Sequence, residues 1–131
     1  MQAQKPNSYP NRVEVRISQN IKEDLTKKLK GRGFPQVDKI LVGTEMNVEL
    51  SSDTFKIDPL SKNVQFINSS GYTQWEWDVT PLKSGNRLIH LSVAIIIYLD
   101  KYGEKTKSLP VMEREIYVKV KYKIIFLNFF N

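Results

Sequence analysis

From Ile89 onward, every second residue of NRLIHLSVAIIIYL (Asn86–Leu99) is apolar: Ile89, Leu91, Val93, Ile95, Ile97 and Leu99. A repeat of two over that length lays one apolar row along one face of a long strand. Immediately upstream, Trp75, Trp77 and Val79 alternate with Gln74, Glu76 and Asp78, which is a second strand. The polar turn Pro81-Leu82-Lys83-Ser84-Gly85-Asn86 lies between them and reverses the chain. Two alternating strands joined so closely pair antiparallel, which makes this an antiparallel β domain.

The flanking sequence extends the pattern. Val13, Val15 and Ile17 alternate with charges and predict a first strand. Asn20, followed three residues later by Glu23, has the spacing of a capping box, and Ile21, Leu25 and Leu29 recur every four residues. The spacing predicts a short amphipathic helix from Ile21 to about Lys30, stopped by Gly31, Gly33 and Pro35. Val37 to Val42 reads as a strand continuing past a bend at Gly43 into Met46, Val48 and Leu50. Short strands follow at Phe55–Ile57 and Val64–Phe66, and a last long strand is predicted from Pro110, with Asp100 to Ser108 as the hairpin loop before it. Seven or eight strands with turns at short intervals predict a mainly β fold, an antiparallel immunoglobulin-like β-sandwich with one short N-terminal helix. A small barrel is the alternative. Residues 1–11, polar and holding two prolines, read as a disordered lead-in, residues 12–125 as the sandwich, and residues 126–131 as an apolar tail.

Composition narrows the function classes. At 131 residues the chain has room for one domain. It has no cysteine, which excludes disulfides, thiolate metal sites and cysteine nucleophiles and fits a reducing compartment. The N-terminus is not a signal peptide. No apolar run reaches the roughly 20 residues that span a bilayer. A net charge of +6 suggests an anionic neighbour: nucleic acid, a membrane surface or an acidic protein.

The residues able to do chemistry are few. His90 is the only histidine and lies opposite the apolar row beside Ser92, with no nucleophile elbow or oxyanion loop, so neither a triad nor a zinc site is expected. Glu113 and Glu115 flank Arg114, and Glu76 and Asp78 flank Trp77, as strand-face charges that pair across a sheet. Lys27, Lys28, Lys30 and Arg32 form a basic cluster with glycines, which could touch phosphates or simply suit the end of a helix. Lys119, Lys121 and Lys123 form a one-face row: an anion-binding strip, a protected edge strand, or a stalk approaching an anionic leaflet. These seven basic residues are the candidate anion or partner contacts; no catalytic, cofactor or metal site is assigned. Trp75 and Trp77 are expected in the core rather than as stacking platforms.

The run from Trp75 to Gly85, W-x-W-x-V-x-P-x-x-x-G, together with LTKKLKGRGFPQVDKILVGTEMNVELSSDTFKIDPL and LPVMEREIYVKV, resembles an accessory β domain of bacterial, cyanobacterial-type multidomain proteins. The resemblance covers Val13 to about Tyr122. It implies a place between a signalling or conflict-system effector module and a C-terminal membrane segment, and it brings no catalytic residues. The expected function is a non-enzymatic interaction, spacer or sensor module, cytoplasmic and membrane-associated in a full-length protein. Its expected partners are a protein or a second copy of itself, and an anionic membrane surface. The alternative is an anion- or nucleic-acid-binding domain working through the basic clusters.

Overall fold

The computed structural model describes residues 11–20, 22–30, 39–82 and 86–119. Seven strands form among them: β1 (Asn11–Ile17), β2 (Glu45–Ser51), β3 (Phe55–Pro59), β4 (Val64–Phe66), β5 (Thr73–Pro81), β6 (Asn86–Tyr98) and β7 (Thr106–Lys119). They make two antiparallel sheets, a three-stranded one ordered β1-β5-β3 and a four-stranded one ordered β4-β2-β6-β7. Each connection from β1 to β6 changes sheet, and only β6 and β7 follow one another within one.

Alternation explains why these segments are strands and why the sheets face each other. In β5 every odd residue from Thr73 to Pro81 is buried and every even one half-buried. The core joins Ile17, Phe55, Trp75, Trp77 and Val79 of the three-stranded sheet to Met46, Val48, Ile89, Leu91 and Val93 of the four-stranded one. One carbonyl ties the layers together at their edge: Asn63 O accepts the Trp75 indole N–H at 2.7 Å and the Val48 amide at 2.9 Å. The large apolar ring thus enters the core with its single donor satisfied.

Three expectations need correction. No helix forms over the described residues 22–30, which run as turns, with Lys28 in the left-handed region at φ 59°. The cap chemistry is present but goes into local turns. The Asn20 side chain accepts the Lys22 amide at 3.0 Å, its carbonyl accepts the Glu23 amide at 3.0 Å, and Asp24 accepts the Thr26 amide at 2.9 Å. Carbonyls that a helix would have used are taken by Arg16, which donates to Leu25 O, Lys27 O and Lys28 O.

The strand expected over residues 37–42 is the second correction. Its described part, 39–42, has no regular structure, and β2 begins only at Glu45. Gly43 is where the backbone closes on β6, since a Cβ there would lie 2.5 Å from Ile95 Cγ2. Third, β7 starts at Thr106 rather than Pro110 and carries the proline within an edge strand, opposite Ala94.

Beyond the described residues lie the expected lead-in apart from Asn11, the apolar tail, Ile21, Arg32, Lys121 and Lys123. Among the described residues no helix is long and apolar enough to cross a membrane.

Candidate functional site

The two outer faces of the sandwich differ in what covers them. On the three-stranded sheet, cross-strand register sets Arg12 opposite Asp78, Glu14 opposite Glu76 and Arg16 opposite Gln74. Arg12 bonds Asp78 at 2.9 Å and Glu76 at 3.1 Å, and the two carboxylates hold its guanidinium above its ordinary pKa. Arg16 donates to Gln74 at 2.6 Å and lies 4.4 Å from the centre of the Tyr72 ring. Glu14 accepts the Lys30 amide at 2.5 Å. Through these bonds residues 22–30 lie across this face, leaving the Arg16 and Glu14 side chains 5% and 3% exposed.

No described segment makes such bonds across the four-stranded sheet. Its outer face carries Val64 and Phe66 of β4, Leu88 and Tyr98 of β6, and Tyr117 of β7, all exposed, with Phe66 and Tyr117 at 64% and 65%. Alternation puts them there, and β4 and β7 are the outer strands of this sheet. Val64 and Phe66 pair with Asn47 and Glu45, whose neighbours Met46 and Val48 point into the core. Tyr98 donates its hydroxyl to Glu45, and that bond to a carboxylate holds the phenol above its ordinary pKa.

His90 lies on the same face between two carboxylates. Its Nδ1 is 2.6 Å from Glu115 and its Nε2 is 3.0 Å from Glu113. The bonds to Glu115 and Glu113 raise its pKa above the usual value. A bulge creates the arrangement. From Tyr98↔Thr106 to Ala94↔Pro110 the β6–β7 register is regular, then it slips by one residue between Val93 and Ala94. Continuing the first register would set His90 opposite Arg114; the slip sets it opposite Glu115 instead.

With each ring nitrogen engaged by a carboxylate, neither is free to act as a general base toward a neighbouring hydroxyl. The two carboxylates approach opposite edges of the ring, so one cation cannot gather all three groups. Among the described residues no set of three or more His, Asp or Glu is arranged to hold a metal. Beside the ring is a shallow, solvent-open depression of about 660 Å³ lined by Ser51–Thr54, Leu88, His90, Glu115 and Tyr117. Ser52 shapes its rim by donating to Leu88 O at 2.8 Å and accepting the Thr54 and Phe55 amides.

The sign of the pH effect follows from the geometry. An imidazolium donates to both carboxylates; a neutral ring donates to one. Because folding raises the pKa, this contribution is fully present below the unfolded value, near 6.5, and is lost as pH rises through the folded value. His90→Ala is expected to keep the fold and to remove that part of the pH dependence of the melting temperature. Parallel pH–stability curves for wild type and variant would refute the clamp.

The described basic candidates do not converge. Lys27, Lys28 and Lys30 are exposed on the segment crossing the three-stranded sheet near Arg16, whose partner Gln74 is at the start of β5. Lys119 belongs to the other sheet and pairs with Asn86, just past the end of β5. Lys27, Lys28 and Lys30 therefore lie over one sheet and Lys119 on the other. The sequence does not predict the exposed apolar side chains of β4, β6 and β7 as a site; its one signal is Tyr117, which alternation puts on the same face of the last strand as Lys119.

Comparisons with protein-family models, with curated proteins and with solved structures gave no match.

Proposed function

We propose that this chain is a non-enzymatic interaction module, the membrane-proximal spacer or sensor of a bacterial signalling or defence-type multidomain protein. One observation carries the contact role: the outer face of the four-stranded sheet is uncovered by any described segment and displays Val64, Phe66, Leu88, Tyr98 and Tyr117, while the opposite face is overlaid by residues 22–30. The exposed apolar side chains stand in two groups on that open face, Leu88 with Tyr117 at one end and Phe66 with Tyr98 around Glu45 toward the other, and grouped apolar exposure of this kind marks a surface made for contact. The setting in a larger signalling protein is inferred from the Trp75–Gly85 motif.

The immunoglobulin-like assignment belongs to the same proposal. The grouping β1-β5-β3 against β2-β6-β7 parallels the B-E-D and C-F-G strands of that sandwich. The order in which the chain visits the outlying strands β3 and β4 is exchanged.

Photo-crosslinking in the source cell tests the contact role. A photoreactive residue at Phe66 or Tyr117 is expected to give a discrete adduct, to protein or to a second copy, and one at Lys56 on the other sheet none. Equal labelling from both faces, or none from either, would overturn it. Binding of nucleic acid through Lys27, Lys28 and Lys30 is the other reading, and its mark is a steep loss of affinity with salt.

A further inference from the structure

The β6–β7 hairpin outruns the sandwich. β2 pairs with β6 only as far as Ile95, so from Ile96 to Tyr98 β6 pairs with β7 alone. Burial falls along the same line: Val93 is fully buried, Ile95 to Ile97 are half-buried, and Tyr98, Leu99 and every residue from Lys101 to Pro110 are exposed. The apolar row that begins as core at Ile89 thus ends in water at Leu99, which is 60% exposed, and Tyr102 in the turn beyond it is 76% exposed.

The tip is nonetheless well formed. Leu99 N donates to Lys105 O at 2.8 Å, Gly103 N to Asp100 O at 3.3 Å, and Glu104 N to the Asp100 carboxylate at 2.9 Å. Asp at the first and Gly at the fourth position suit a type I turn, and Gly103 takes the positive φ of 73° that follows it. Lys101 lies over the Tyr102 ring at 5.2 Å, and Lys105 and Lys107 are exposed alongside.

We propose that this arm docks on the surface of an anionic lipid bilayer. Leu99 and Tyr102 enter the boundary between headgroups and chains, and Lys101, Lys105 and Lys107 meet the lipid phosphates and carboxylates. Tyrosine favours that boundary because its ring is apolar and its hydroxyl polar. Lysines beside it gain from the negative surface potential, and the chain's +6 charge acts in the same direction. A nucleic acid fits less well, since exposed aliphatic Leu99 and Leu109 find neither a phosphate nor a stacking face there. The inference deepens the contact reading above and rests on it only in taking the chain to act by binding.

Co-sedimentation of the full chain with phosphatidylcholine vesicles, with and without phosphatidylserine, tests it. Binding is expected to need the anionic lipid and to weaken as salt rises. Lys101→Glu or Lys105→Glu should weaken it at least about fivefold each. Leu99→Glu with Tyr102→Glu should weaken it at least about tenfold. Tyr102→Glu alone serves as the check that cannot disturb the core, and its melting temperature should match wild type. No vesicle binding, equal binding to neutral vesicles, or arm variants that bind like wild type would each overturn the proposal. So would loss of binding only on removing residues 126–131, or arm variants that lose a single-stranded oligonucleotide but keep vesicles. Adducts at Phe66 or Tyr117 persisting in any of these cases would leave the contact reading standing and remove only the arm.

Discussion

Trp77→Ala is expected to unfold the domain or to melt far below wild type. The ring is 1% exposed in the central strand of the three-stranded sheet, with Val13 and Pro59 as its neighbours in register on either side. It faces the buried side chains of the other layer, so truncation opens a cavity between the sheets rather than at a rim. Emptying a buried tryptophan costs about 3–5 kcal/mol. For a domain of this size that is roughly 10–20 °C in melting temperature. Thermal denaturation by circular dichroism measures it. A variant that melts like wild type but loses a partner would show that Trp77 is a contact platform and not core.

Arg16→Met is the second large effect, and it acts on the overlying segment as much as on the sheet. One guanidinium bonds Gln74 and the carbonyls of Leu25, Lys27 and Lys28, beside Glu14 and the Tyr72 ring. Methionine keeps much of the side-chain volume but supplies no donors, so those carbonyls lose their partner and Glu14 loses its neighbouring positive charge. Breaking a buried charged cluster from one side costs on the order of 3–5 kcal/mol. The specific mark is local: trypsin should cut after Lys27, Lys28 or Lys30 much faster than in wild type, before global unfolding. Unchanged cleavage there would mean that the segment is held in place by something other than Arg16.

The two results would separate what holds each layer. The core is secured by apolar burial between sheets, which tolerates no loss of volume. The cover on the three-stranded sheet is secured by directional bonds from one side chain. The four-stranded sheet lacks an Arg16 equivalent on its outer face among the described residues; of its charged groups there, His90, Glu113 and Glu115 bond one another and Glu45 bonds the Tyr98 hydroxyl, so none of these bonds draws a described segment over the exposed side chains of β4, β6 and β7.

Alternation determined the class of fold and much of the core. Trp75, Trp77, Val79, Ile89, Leu91 and Val93 are buried where a period of two puts them, because the pleat is a local property that one strand's residues specify. Tertiary structure decided where that row stops. Alternation alone does not distinguish Leu99 from Leu91; the difference is that the pairing with β2 ends at Ile95, before Leu99 is reached. It also decided the fate of residues 22–30. The helical spacing and the cap were legible, but the bonds that won come from Arg16 and Glu14, on a strand earlier in the chain. The His90 clamp depended on a one-residue slip near Pro110, since every pair beyond a bulge is displaced and a hairpin counted from its turn names the wrong partner. Local periodicity survives folding because backbone geometry enforces it. Which polar group meets which is settled only when distant strands fall into register.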